Sequence, residues 1–317
     1  MGFRDRIFAA SDIKNLSLKW SLYNTISNSI SVEETFEKAS FALTTLRFMN
    51  QEYMEFDQAL LDRIDWDRSV ESGFKAALAG GEFEAWYQPK YSVETQRITG
   101  AEALVRWKRP SGEMVSPARF IPILENSGQI GQLDEEIFRQ VCALQKQIAD
   151  SGLKNVPISV NLSRASIFTT DISAAYASIA DSYSVDHRLM PIEITESAAI
   201  RAARIREFAD SLIDSGFVLH MDDFGAGYSS LASLQVIPFE SIKLDKSLVD
   251  FIGKRSGESL LRHTIEFARE SGISTVAEGV ETLEQYMFLK YAGCDSIQGY
   301  YFSKPLPREE FLKKLGK

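Results

Sequence analysis

The stretch IDSGFVLHMDDFG, residues 213–225, contains one complete structural unit. Its opening reads as the end of a helix, closed by Gly216 in the position that favours a left-handed turn. A short apolar run from Phe217 to Met221 then reads as a buried strand. The strand ends on two carboxylates, Asp222 and Asp223, and a further glycine, Gly225. The same order recurs in ADSGLKNVPISVNLS (149–163), RESGISTVAEGVE (269–281) and KYAGCDSIQGY (290–300). LMPIEITES (189–197) and FESIKLDKS (239–247) repeat the strand and its polar ending without the glycine, and RITGAEALVRW (97–107) carries Glu102. Helix, glycine and strand in repetition predict βα units and a mostly parallel sheet. Roughly seven or eight units after residue 75 predict an α/β chain folded as a modified TIM (β/α)8 barrel.

In such a barrel the strand ends converge on one mouth. Here they carry Glu102, Asn161, Glu193, Asp222, Asp223, Lys243, Glu278, Glu281 and Gln298. Six of these are carboxylates, and that many negative charges in one pocket need counter-ions or else take up protons. Hard oxygen donors, with the amide of Asn161 among them, suit Mg²⁺ or Mn²⁺. Two ions bridged by a carboxylate are a known device for cleaving phosphoesters. The adjacent aspartates pose a question, because neighbouring side chains on a regular strand point to opposite faces. We expect the strand to have ended at this point, so that both face the mouth. Taken singly, an acid at a strand end caps a helix or joins an ion pair, and Glu196 fits that description.

The bulk properties narrow the function. The 317 residues carry a formal net charge of −9, which disfavours polymeric nucleic acid as a partner. Hydrophobic and charged contents of 44% and 25% are those of a globular protein. Cys142 and Cys294 form no C-x-x-C pair, so both are expected reduced and buried. With only His187, His220 and His263 available, an imidazole-based zinc site is not expected. No run is long enough to span a bilayer, and MGFRDRIFAASDIKNL (1–16) lacks the apolar core of a secretory signal. The expectation is a cytoplasmic chain without membrane insertion.

Residues 1–74 read as a short, mainly helical N-terminal segment, with the barrel domain over 75–317. SVEETFEKASFALTTLRFMN (31–50) opens with a serine and acids in its first turn. DWDRSVESGFKAALAGG (65–81) aligns Val70, Phe74 and Leu78 and stops at Gly80 and Gly81.

These residues resemble a known family. Glu102-Ala103-Leu104, within TGAEALVRW, is the signature of EAL-domain phosphodiesterases, which hydrolyse cyclic di-GMP. The likeness continues in order through YQP (87–89), VNLS, IEITES, DDFGAGYSS, IKLDKS, VAEGVET and GCDSIQGYYFSKPLP, covering about residues 75 to 315. It implies metal-dependent opening of cyclic di-GMP to linear pGpG. It implies Glu102, Asn161, Glu193 and Asp222 as ligands of one ion, and Asp222, Asp223 and Glu278 as ligands of a second. Lys243 is implied to hold and help activate the attacking water, with Glu281 and Gln298 supporting it. Gln88, Leu104 and Arg106 match substrate-lining positions, and Asp245, in the same block as Lys243, is placed with them. Glu196 matches a residue that stabilises the loop after the aspartates. Ala226 stands where the family more often has Thr or Ser. The resemblance also implies a homodimer. The alternative function is a silent receptor for cyclic di-GMP or a protein-interaction module. SVEETFEKASFALTTLRFMNQEYMEFDQALLDR (31–63) resembles the tail of a GGDEF domain, whereas GGEF at 80–83 lacks an acid of the cyclase signature. No cyclase activity is expected.

Overall fold

The computed structural model describes residues 19–23, 31–46, 53–168, 172–200, 205–226, 234 and 237–316. The chain divides into two compact units, Met1–Ser72 and Gly73–Lys317. In the first unit, strands β1 (Trp20–Tyr23) and β2 (Tyr53–Phe56) pair in parallel, with the helix Val32–Leu46 between them in the chain. Ala42, Leu46, Met54, Phe56 and Leu60 form its core. The mainly helical reading of this segment does not include the two short strands. Met54 and Phe56 are buried while Tyr53 and Glu55 are exposed, a period-2 pattern too short to stand out beside the helical signals.

The second unit is a closed barrel. Its strands are β3 (Phe83–Ser92), β4 (Ile98–Lys108), β5 (Met114–Val115), β6 (Ile158–Asn161), β7 (Ile192–Thr195), β8 (Leu219–Phe224), β9 (Ser241–Leu244), β10 (Ser274–Ala277) and β11 (Ser296–Ile297). Hydrogen bonding runs in the order β3-β11-β10-β9-β8-β7-β6-β4, and pairing of β3 with β4 closes an eight-stranded ring. β5 is appended to β4 outside the ring.

One strand runs against the others. β3 is antiparallel to both β4 and β11, while the remaining ring pairings are parallel. The cause is local: only Val93–Arg97 separates β3 from β4, too little for the crossover that a parallel pair needs. Ser92 N–H donates to Arg97 O at 2.9 Å across this hairpin, and Gln96 takes a left-handed φ of 56°. The register sets Gln88 opposite Glu102 and Lys90 opposite Gly100, so a reversed strand brings side chains to the mouth from an unusual direction.

Helices cover the ring. One of them, Ile130–Asp150, buries Leu133, Ile137, Phe138, Val141, Leu144 and Ile148 against it. Cys142 and Cys294 are free and buried, as their sequence setting suggests. No described helix is long and apolar enough to cross a membrane.

Candidate metal centre and active site

The aspartate pair has a different explanation from the one expected. β8 continues through both residues to Phe224, so the strand has not ended. Its register against β9 slips instead: Met221 lies opposite Ile242 and Phe224 opposite Leu244, leaving Asp222 and Asp223 both facing Lys243. Two residues against one is a β-bulge. Asp223 takes φ 58°, a left-handed conformation that aspartate tolerates better than most residues. The Asp223 N–H donates to Asp222 Oδ1 at 2.9 Å. The bulge cancels strand alternation locally and brings both carboxylates to one cluster.

Lys243 is the centre of that cluster. Its Nζ lies 2.6 Å from Glu193 Oε2, 2.8 Å from Asp222 Oδ1, 2.8 Å from Glu278 Oε1 and 3.2 Å from Glu102 Oε2. The side chain is 1% exposed. An ammonium has three protons, so four carboxylates exceed what it can satisfy. Burial opposes its charge, yet the attraction of Glu102, Glu193, Glu278 and Asp222 prevails and raises its pKa well above the ordinary value.

The carboxylates divide the shortage unequally. Burial would lift Glu193, but Lys243, Lys90 and His220 together hold it well below the usual carboxylate range. Burial raises Glu102 and Asp222, with Lys243 only partly offsetting it. Glu278 is pushed up to about 8, by burial first and then by Glu102 and Asp222, against the pull of Lys243. A charged Lys243 beside a proton-accepting Glu278 is no contradiction, because one cation cannot neutralise four anions.

Two groups of acids have oxygens within 4.8 Å of one another: Glu102, Glu193 and Asp222, and Asp222, Asp223 and Glu278. Asp222 is common to both. An excess of hard oxygen donors around a single ammonium is the donor set expected of a divalent-cation site, and the residues present fit such ions. Since Glu278, pushed up to about 8, must give up its proton to bind a metal, ion uptake is coupled to pH. The Kd for Mn²⁺ is expected to tighten about tenfold per unit as pH rises from 6 towards 8, then level off, at one proton released per ion. Titration followed by Mn²⁺ electron paramagnetic resonance at several pH values measures this slope; a flat profile would contradict it.

The other sequence-predicted residues are placed as follows. A cavity of about 620 Å³ is lined by Glu102, Asn161, Asp222, Asp223, Lys243 and Glu278, together with Gln88, Leu104, Glu281 and Gln298. Asn161 Nδ2 donates to Glu102 Oε1 at 2.7 Å, and Gln298 Nε2 donates to Glu102 Oε2 at 2.6 Å and to Gln88 Oε1 at 3.1 Å. Gln298 Oε1 is buried without a partner. Glu281 stands at the exposed rim, 3.3 Å from Lys246. Glu196 Oε2 accepts from Gly225 N–H at 3.2 Å, tying its helix to the backbone that follows the aspartates. Glu193, Glu196, Asp245 and Arg106 fall outside the cavity lining, Glu193 lying behind Lys243. Asp245 caps the helix Lys246–Val249 by accepting from Ser247 N–H at 2.9 Å. Arg106 lines an adjoining cleft of about 470 Å³, which shares Leu104 and Asn161 with the acidic cavity. Its Nη1 donates to Val105 O at 2.8 Å, and its guanidinium sits 5.7 Å from the centre of the Trp86 ring. Gly227 and the rest of the loop up to residue 233 lie outside the described residues.

Sequence reasoning missed Lys90 and His220. Lys90 is buried on β3, its Nζ 2.8 Å from Glu193 Oε1. The period-2 relation to Gln88 is the signal that could have found it. His220 is partly buried beside Glu193, its Nδ1 4.0 Å from Oε1, and loss of solvation first, then Lys90, lowers its pKa to about 3.

Comparison with known proteins gives one consistent answer. Residues 72–305 match the model of the EAL domain family. The chain is 30% identical over 287 residues to the cyclic di-GMP phosphodiesterase NbdA of Pseudomonas aeruginosa, covering 89% of this chain and 37% of that protein. It is 32% identical over 241 residues to the cyclic di-GMP phosphodiesterase PdeL of Escherichia coli, covering 75% of this chain and 66% of that protein. Among solved structures, PaMucR phosphodiesterase in complex with c-di-GMP superposes with a TM-score of 0.72 at 29% identity, covering 77% of this chain and 99% of that one. The chain spans only about a third of the length of NbdA and of the E. coli oxygen sensor DosP.

Proposed function

The chain belongs to the EAL domain family, and from that premise we propose that it hydrolyses cyclic di-GMP to linear pGpG, using two Mg²⁺ or Mn²⁺ ions held at the barrel mouth. The observation that carries this reading is the pair of acidic groups sharing Asp222, assembled around a lysine that cannot satisfy them all.

Each residue then has a task. Glu102, Asn161, Glu193 and Asp222 would hold one ion, and Asp222, Asp223 and Glu278 would hold the other. Bound ions of this kind lower the pKa of a water and neutralise charge on the phosphoryl and leaving oxygens. Lys243 donates hydrogen bonds to the attacking water and holds it in line with the phosphorus. The water oxygen forms the new P–O bond, the P–O3′ bond breaks, the water's proton passes to a neighbouring carboxylate, and the leaving O3′ takes up a proton from solvent to become the 3′-hydroxyl. Gln298 orients Glu102 through the 2.6 Å hydrogen bond. Glu281 supports the water from the rim. Gln88, Leu104 and Arg106 line the approach, and the cleft beside Arg106 has walls suited to a purine: Leu104, Ile121, Leu133 and Ile137 with polar Ser163 and Arg164. Asp245 acts on the substrate side only through the helix it caps. Glu196 steadies the segment after the aspartates.

Bound ions also resolve how an acidic chain takes an anionic substrate, because they supply the missing positive charge. The net charge of −9 leaves polymeric nucleic acid an unsuitable partner. A homodimer, a cytoplasmic location and the division of the chain into a mainly helical, GGDEF-tail-like segment over 1–74 and a catalytic barrel over 75–317 complete the proposal.

The test separates an enzyme from a receptor. Cyclic di-GMP is added to the protein with Mn²⁺, binding is measured by calorimetry, and the same sample is resolved by chromatography. Binding together with pGpG supports the proposal; binding that leaves cyclic di-GMP intact selects the receptor.

A further inference from the structure

Lys90 has no role in the chemistry above, yet it is among the most deeply buried charges of the barrel, at 5% exposure. It reaches the site from β3, the one reversed strand of the ring, at the level of Gly100, one layer beneath Glu102. Its Nζ donates to Glu193 Oε1 at 2.8 Å and to Ser159 Oγ at 2.8 Å. Ser159 in turn donates to Ala101 O at 3.2 Å, which anchors it to β4. The other oxygen of Glu193, Oε2, is the one that meets Lys243, at 2.6 Å. Glu193 is thus gripped from two sides, by one lysine below and one lysine within the mouth.

An ammonium in a buried position is unfavourable unless it is paired. A fold that needed only packing at position 90 would be better served by a methionine. The pairing has a geometric result: Oε1 is occupied from beneath by Lys90, while Oε2 meets Lys243 at the centre of the cluster.

We propose that Lys90 is a positioning residue that withholds one oxygen of Glu193, so that this carboxylate gives a single oxygen to an ion at the mouth. The inference rests on the reading of the mouth as a divalent-ion site. Carboxylates bind such ions with one oxygen or two, and partners of a ligand decide which orientation it keeps. Without Lys90, Glu193 is free to turn both oxygens inward. The site also loses a positive charge. Both changes favour a dication, while the ion moves from its working position.

The signature is therefore opposite in sign for binding and turnover. In Lys90→Met, the Kd for Mn²⁺ measured by electron paramagnetic resonance without substrate is expected to fall about threefold to tenfold. The kcat for cyclic di-GMP is expected to drop about tenfold to a hundredfold, with KM changed less than about threefold. Ser159→Ala, which removes only the anchor of Lys90, should shift both quantities the same way by a smaller amount, and it keeps the test valid should Lys90→Met fail to fold. Weaker Mn²⁺ binding with a parallel loss of activity in either variant would make Lys90 a scaffold residue and overturn the proposal, as would no change in either quantity. If the unaltered protein itself takes up no Mn²⁺, the reading of the mouth as an ion site fails, and this inference with it.

Discussion

Lys243→Met is expected to destabilise the ion-free protein by about 3–5 kcal/mol, the cost of removing one partner from a buried ionic cluster. Lys243 is fully buried and faces Glu102, Glu193, Asp222 and Glu278. Methionine fills similar space but leaves those carboxylates without their central cation. Two conditions should restore stability. The first is acid: a carboxyl whose folded pKa lies above its unfolded value contributes instability that grows as pH rises between the two. Glu278 already shows this behaviour, lying at about 8 against an ordinary 4.5. The penalty of Lys243→Met should accordingly be largest near pH 8 and shrink towards pH 5. The second is a divalent ion, which replaces the lost charge. Urea unfolding of the variant with and without Mn²⁺ should therefore show a larger stabilisation by the ion than in the unaltered protein. Turnover should stay lost even where stability returns, because an ion at that position does not replace the donor that holds the water.

Glu102→Ala is expected to lower turnover by about a thousandfold or more, the scale of losing a preorganised charge in a catalytic site. Its effect on the fold is much smaller. Asn161 Nδ2 and Gln298 Nε2 lose their shared acceptor, a cost of about 1–3 kcal/mol. Relief of repulsion among the remaining acids offsets part of it. Steady-state rates measured beside a thermal unfolding curve separate the two effects. A variant that keeps its activity would remove Glu102 from the ion site; one that unfolds would leave its chemical role to Glu102→Gln, which keeps an acceptor for both amides.

The barrel was legible because its signal is repeated. The glycines at 152, 216, 272 and 293 all take positive φ, as helix ends preceding strands require. The acids at the strand ends were legible because nothing apolar competes for those positions. Three features were hidden for physical reasons. The bulge at Asp222 and Asp223 depends on register with β9, which is a property of two strands and not of one. The reversal of β3 follows from the short connection Val93–Arg97, and that in turn decides where Lys90 points. The β1–β2 pair in the first unit has strands of four residues each, too short for periodicity to distinguish from a helix edge. Arg106, spaced from Glu102 as the pattern has it, lines the adjoining cleft, with its guanidinium 5.7 Å from the centre of the Trp86 ring.

The central claim is that this cluster of carboxylates turns over cyclic di-GMP only with divalent ions in place. The most direct measurement strips the protein with a chelator, adds cyclic di-GMP, and follows pGpG by chromatography before and after Mn²⁺ is returned. The account predicts no product from the stripped protein and prompt appearance of pGpG once the ion is restored. Product formed equally by the stripped protein, or none formed after the ion is restored, would contradict it.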